Sequence, residues 1–381
     1  MTNPRPAGLR PVQLGRVFGV PVFLAPSWLL IAAFVTVSFG DVFTTAVDGI
    51  GSTAGHLLAL AFAVLVALCV LLHELGHTAV ALLLRLRVRR VVIFLLGGAS
   101  EIDPEPDRPR DELLVSAAGP LTSGLLAAVC WAARHYVAGG TALGVELDLM
   151  IWSNLSIAVF NALPGLPLDG GRVLRAVVWG GGASRLSATR IAAWVGRGLA
   201  VVVALSGLLV VRGNWGIVSV VLSASLGAFL WFAASQNLLA ARIADRLPTV
   251  HVSDLVRPAV WVPAGMPIAE ALRRAAEQRA GAIVVVDAAE TARAIVDDTL
   301  LAAVPGAQRP WTGAGSVART IAPNAVLPIG LSGQALLAAC QQSPAARYLV
   351  TDGAHQIGVL TAADLRAALE APDATRTETP A

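Results

Sequence analysis

Lysine is missing altogether: all 28 basic residues of the 381-residue chain are arginine. That bias suits a GC-rich bacterial coding sequence and points to no mechanism. Cysteine is almost missing as well. Cys69, Cys130 and Cys340 stand far apart, which excludes a disulfide framework and a CxxC metal pair. Charge of either sign is sparse, 14% of residues against 56% hydrophobic. This balance excludes an ordinary soluble globular chain and marks a polytopic membrane protein with room for a soluble appendage. The formal charge of +3 is gathered in short arginine-rich segments between apolar runs. It therefore reports membrane topology, and no nucleic-acid partner is expected.

Runs long enough to cross a bilayer as a helix, about 20 apolar residues, fall at 18–39, 57–84, 113–136, 147–163, 191–211 and 215–235. The first is too long for a signal-peptide core and lacks an Ala-x-Ala cleavage site, so a retained anchor is expected. Arg5, Arg10 and Arg16 precede it, and Arg85, Arg87, Arg89, Arg90, Arg108 and Arg110 follow the second run. Arg172, Arg175, Arg185 and Arg190 follow the fourth, and Arg242 and Arg246 the sixth, whereas 40–55 holds no arginine. The positive-inside rule then predicts six spans with both termini in the cytoplasm of a bacterial plasma membrane.

Within the second run lies His73-Glu74-Leu75-Gly76-His77. Apart from the thiol of Cys69, these are the only ionisable side chains from 57 to 84. Residues four apart share one face of a helix, so both imidazoles can bind a single metal ion. Glu74 stands beside the first of them, placed to take a proton from a water that the metal activates. Ionisable groups at bilayer depth cost a few kcal/mol each and persist there for a task. The bland alternative is a polar contact between helices. A catalytic zinc site takes a third protein ligand, and Asp169 is the best candidate. It is preceded by Pro164 and Pro167 and followed by Gly170 and Gly171, so a helix must unwind nearby. Unwound backbone at membrane depth persists only where protein or a polar cavity satisfies it. A solvated turn is the alternative for Asp169.

These residues resemble a known family, the site-2 proteases, zinc metalloproteases that cut within the membrane. The likeness rests on His73 through His77, on Asn161 through Gly171, on Gly97-Gly98 after the strand-like 91–94, and on Ala118-Gly119-Pro120. It implies that His73, His77 and Asp169 bind one Zn2+ per chain and that Glu74 is the general base. It further implies that Asn161 lies near the site and helps hold the substrate backbone or a reaction oxyanion. Segment 87–102 would be a re-entrant hairpin, with Gly97 and Gly98 on an edge that pairs with an unwound substrate. Its acidic continuation, Glu101, Asp103, Glu105 and Asp107, is expected to be solvated. One departure is visible: the family often places asparagine after Gly119-Pro120, where this chain reads Leu121-Thr122-Ser123. The substrate expected is a single-span or hairpin membrane protein.

Hydrophobicity falls after Ser235, and two similar units follow. Each is read as a strand (Val252–Leu255; 317–321), an amphipathic helix (268–278; Gly333–Gln342), a strand (Ala282–Val286; 346–351), and a further strand and helix. The second ends Gly358-Val359-Leu360-Thr361-Ala362-Ala363-Asp364 and resembles the CBS domain, which works as a tandem pair. The resemblance implies an adenine nucleotide contacted by Thr361 and Asp364, and it leaves room for a homodimer through the pair. The first unit reads Ala294 through Leu300 without that glycine and aspartate, so at most one site is intact. Helix capping is the structural alternative for Thr361 and Asp364. The fold expected is thus a polytopic α-helical membrane protein of about six spans with one re-entrant hairpin, then a cytoplasmic α/β tandem CBS module. Its parts are a protease domain at 1–240, a degenerate CBS unit at 247–305, a second at 316–370 and a disordered tail at 371–381. A CBS-regulated cation transporter or channel is the rival class, although a transport path does not need the His-Glu-x-x-His spacing.

Overall fold

The protein is described by a computed structural model of residues 11–94, 97–209, 216–322, 324–353 and 355–370. The tail at 371–381 lies outside these residues. The chain forms two compact units, divided between Leu238 and Leu239.

In the first unit the described residues begin not with a membrane helix but with a hairpin, β1 (Val12–Val17) and β2 (Val20–Leu24). Phe18 and Gly19, both at positive φ (53° and 79°), make the two-residue turn that right-twisted strands require. The expected span at 18–39 therefore begins later, as α1 (Trp28–Ala46). Hydropathy alone does not separate an apolar strand pair from the start of a helix. Next come α2 (Ser52–Leu83), β3 (Val88–Phe94), β4 (Gly97–Ile102), α3 (Pro109–Arg134), α4 (Ala142–Ala162), α5 (Asp169–Gly180), α6 (Arg185–Leu209) and α7 (Gly216–Arg246), within which the division at Leu238 falls. The hairpin expected at 87–102 is β3 paired antiparallel to β4. It joins the first hairpin through a parallel β2–β3 contact, giving a sheet ordered β1-β2-β3-β4. Of the acidic residues expected to be solvated, Asp107 is exposed, while Glu101 pairs with Arg90, Asp103 with Arg89 and Glu105 with Arg185.

Among the described residues, six helices are long and apolar enough to cross a membrane: α1, α2, α3, α4, α6 and α7. Over an apolar 18-residue stretch of each, no more than 28% of the residues are buried inside the protein. Leu29, Leu30 and Phe34 of α1, for example, point outward. In water that exposure would drive aggregation, whereas in a bilayer it matches the solvent.

The second unit contains α8 (Val252–Leu255), β5 (Arg257–Pro263), α9 (Ile268–Glu277), β6 (Ala282–Val286), β7 (Ala292–Val296) and α10 (Asp298–Ala302). It continues with β8 (Ala318–Thr320), β9 (Val326–Pro328), α11 (Gly333–Gln342), β10 (Arg347–Asp352), β11 (His355–Thr361) and α12 (Ala362–Glu370). The α/β repeat is present, with two differences from its expected form. Val252–Leu255 is a helical turn, because Val252 packs into the core of the second repeat with Leu327, Leu336 and Leu360. The strand expected at 317–321 is β8, which pairs with β7 of the first repeat. Each repeat thus lends its leading segment to the other, and one seven-stranded sheet results, ordered β8-β7-β6-β5-β11-β10-β9.

Candidate metal centre

Helix α2 turns one face inward, burying Cys69, His73, Glu74, His77, Thr78 and Ala81. The two imidazoles meet edge to face, with their Nε2 atoms 3.3 Å apart. Asp169, the first residue of α5, brings Oδ2 to 3.1 Å from His73 Nε2 and 3.2 Å from His77 Nε2. The helix break expected around Asp169 runs from Leu163 to Leu168, and a new helix starts at the ligand itself. Protein satisfies the broken backbone. Gly165 N–H donates to the Leu163 carbonyl, Leu166 N–H to the Ala192 carbonyl of α6, and Leu168 N–H to the Gly165 carbonyl. Leu166, buried against Ala192 and Ala193, pins the loop.

Helix α3 holds the far side of both rings. His77 Nδ1 lies 2.7 Å from the Val115 carbonyl. A carbonyl only accepts, so Nδ1 carries the proton and a neutral His77 presents a bare lone pair at Nε2. His73 Nδ1 lies 2.9 Å from Ser123 Oγ. The departure noted after Gly119-Pro120 therefore keeps a hydrogen-bonding partner for the ring, with a hydroxyl in place of an amide. Gly119 faces the centre so closely that a Cβ there would collide with both Nε2 atoms.

A nitrogen lone pair of His77 thus faces a carboxylate oxygen and a second imidazole nitrogen, an arrangement that a shared proton or a metal ion satisfies. Ligands about 2.0–2.1 Å from a tetrahedral zinc lie about 3.3–3.4 Å from one another. The three donor atoms here are 3.1–3.3 Å apart. Two imidazoles and a carboxylate fit zinc in chemistry as well as in spacing. Donor atoms of His73, Glu74 and His77 also lie within 4.8 Å of one another, but it is Asp169 that touches both imidazoles. Glu74 is held otherwise: its Oε2 accepts a 2.7 Å hydrogen bond from Ser100 Oγ on β4. A Cβ on Gly98 would collide with the Glu74 side chain.

A cavity of about 570 Å3 opens over the centre. His73, Glu74, Gly97, Gly98, Asn161 and Asp169 all line it, so every expected site residue of this unit except His77 borders one cavity. Apolar side chains of α1, α2, α4 and α7, among them Val35, Val70, Ile157 and Phe229, form the walls. Ser100, Ser123 and the Val115 carbonyl went unforeseen in the sequence. Only Ser123 left a signal there, through its place after Gly119-Pro120.

In the second unit Thr361 and Asp364 do come together, but chiefly with each other. Thr361 Oγ1 donates to Asp364 Oδ2 at 2.7 Å and accepts from the Asp364 N–H at 3.1 Å, which is the geometry of a helix cap. Arg257 of β5 pairs with the same carboxylate. Burial works against ionising Asp364, but the bonds from Arg257 and Thr361 outweigh it and hold the carboxyl below its usual range. The first repeat does likewise. Asp297 caps α10 through the Thr299 and Leu300 N–H groups and pairs with Arg319 of β8.

Residues 61–145 and 141–205 match Peptidase family M50, a stretch that contains both histidines, Glu74 and Asp169. The zinc metalloprotease candidate sll0528 of Synechocystis sp. is 31% identical over 275 residues, 68% of each chain. Rip3 of Mycobacterium tuberculosis, likewise a zinc metalloprotease candidate, is 28% identical over 93% of this chain and 91% of its own. Among solved structures, the site-2 protease from Methanocaldococcus jannaschii is 26% identical, covering 60% of this chain and 95% of that one, with a TM-score of 0.41. With six membrane-length helices and a donor set that fits zinc, the chain belongs to peptidase family M50 and is a multi-pass membrane zinc metalloprotease.

Proposed function

We propose that this chain is an intramembrane zinc endopeptidase in which His73, His77 and Asp169 hold one zinc ion and Glu74 is the general base. The observation that carries this reading is the buried triangle of two Nε2 atoms and Oδ2, held 3.1–3.3 Å apart beside a second carboxylate. Zinc held there supplies Lewis acidity, making water more acidic and polarising a peptide carbonyl. Glu74 takes the proton of the attacking water at Oε1, the oxygen that Ser100 leaves free, and returns it to the leaving amine nitrogen. Val115 and Ser123 fix the rings, so that Nε2 of each points into the centre. Asn161, which lines the same cavity, holds the substrate backbone.

The substrate is a single-span or hairpin membrane protein whose helix unwinds locally. The apolar walls suit such a segment, and β4, the last strand of its sheet, offers an edge for an extended chain to pair with. Arginine placement supports both termini in the cytoplasm of a bacterial plasma membrane. The second unit is a CBS pair. An adenine nucleotide there takes Asp364 from Arg257 and modulates cleavage, and two pairs associate as a homodimer.

The test uses purified protein in detergent, with labelled single-span substrates and a zinc assay on wild type, Glu74→Gln and Asp169→Ala. Expected are cleavage lost in both variants, zinc kept in Glu74→Gln and weakened in Asp169→Ala. Unchanged cleavage in Glu74→Gln would sink the mechanism. Zinc flux in liposomes without cleavage would move transport to the front.

A further inference from the structure

Asp169 reaches the centre on a helix of only 12 residues, whereas both imidazoles are braced by α3. The roll and height of α5 against α3 therefore decide whether Oδ2 meets the two Nε2 atoms. Two charged residues join these helices below the centre. Arg175 of α5 donates from Nε to Glu112 Oε1 of α3 at 2.6 Å, and its terminal nitrogen pairs with the same oxygen. Glu112 is 0% exposed and Arg175 8%. The other carboxylate oxygen, Glu112 Oε2, has no partner among the described residues. Arg175 lies six residues from Asp169, about 9 Å along α5. Glu112 lies three residues from Val115, whose carbonyl holds His77.

Burial makes this pair unlike its neighbours. The Arg90–Glu101 and Arg185–Glu105 pairs are more than a third exposed on both sides, where ion pairs contribute little. Withdrawing two charges from water costs several kcal/mol per ion, and apolar residues of similar volume often serve stability as well or better. What apolar packing does not supply is a directional tether. We propose that Glu112–Arg175 is a positioning latch that sets Asp169 against the two imidazoles and so tunes zinc affinity. The inference rests on Asp169 being a zinc ligand. The latch touches neither substrate nor metal and acts through α5. Glu105, 4.0 Å from Arg175 and paired with Arg185, is an exposed outer arm whose removal has little effect.

The test is chelator competition for zinc on the full-length protein in detergent, read beside the thermal midpoint of the metal-free form. Arg175→Gln strands the Glu112 charge, and it lowers both zinc affinity, by about tenfold or more, and thermal stability. The double variant Glu112→Leu/Arg175→Met removes both charges. Its thermal midpoint returns toward wild type while zinc affinity stays about tenfold or more below it. If affinity recovers together with stability, the pair is only structural and the proposal is overturned. Affinity unchanged in Arg175→Gln overturns it as well. Should neither variant fold, Glu112→Asp carries the test, since it keeps the charge and shortens the arm by one methylene. Weakened affinity is expected there, and wild-type affinity would overturn the latch. A wild type that binds no zinc would sink the metal reading instead, a result separate from all of these.

Discussion

The two units treat their motif residues in opposite ways. In the membrane unit, His73, His77 and Asp169 turn ligand atoms toward one another, and α3 supplies partners for the outer ring nitrogens. In the second unit, Asp364 is answered on both oxygens, by Arg257 and Thr361. A carboxylate saturated by its own fold stabilises that fold. One aimed at two buried imidazole nitrogens fits a metal ion. The contrast lies in the partners, since both sets of residues answered to a family pattern in the sequence.

The sharpest way to break the contrast is to fill the space the centre needs. Gly119→Ala would drive a methyl group against both Nε2 atoms. An overpacking cost of about 1–3 kcal/mol, taken up at the ligands, corresponds to about a tenfold to hundredfold loss of zinc affinity. Chelator competition reads it, and wild-type affinity in that variant would mean that the cation sits elsewhere. Ser123→Ala comes next. It removes the partner of His73 Nδ1 and should weaken zinc about tenfold, the low end for a ligand's outer partner. Ser123→Asn, which puts an amide where the hydroxyl stands, should keep the affinity near wild type.

How legible all this was depends on the range of each interaction. The histidines and Glu74 sit within one helical turn, where a 3.6-residue period announces them. Asp169 was announced by its prolines and glycines. Ser100 binds Glu74 across 26 residues, Ser123 binds His73 across 50, and Arg175 binds Glu112 across 63. No local pattern encodes such pairings. The opening hairpin was missed for the opposite reason. Its turn is local, at Phe18-Gly19, but hydropathy without period masks it. In the second unit the helix Gly333–Gln342 and the strand Ala282–Val286 matched the expected bounds. The exchange of leading segments could not be read, because a strand does not name its partner.

The smallest effects belong to the second unit, and they are the ones that sharpen the comparison. Thr361→Ala removes a cap and should cost about 1 kcal/mol locally, visible as faster hydrogen exchange in α12 with zinc affinity untouched. Because the folded carboxyl of Asp364 is held below its usual range, the stabilisation it contributes is present above its unfolded pKa, about 3.9. It fades as pH falls through the lower, folded value. Protection of α12 in wild type should therefore exceed that in Asp364→Asn near neutral pH, and the two should converge in acid. A difference independent of pH would mean that the charge of Asp364 is not what holds the helix. Adenine nucleotide then separates the two roles of this residue. Added near neutral pH, it should change α12 protection in wild type and not in Asp364→Asn. If it changes neither, Arg257 and Thr361 already complete the carboxylate, and the likeness to a nucleotide site ends at the cap.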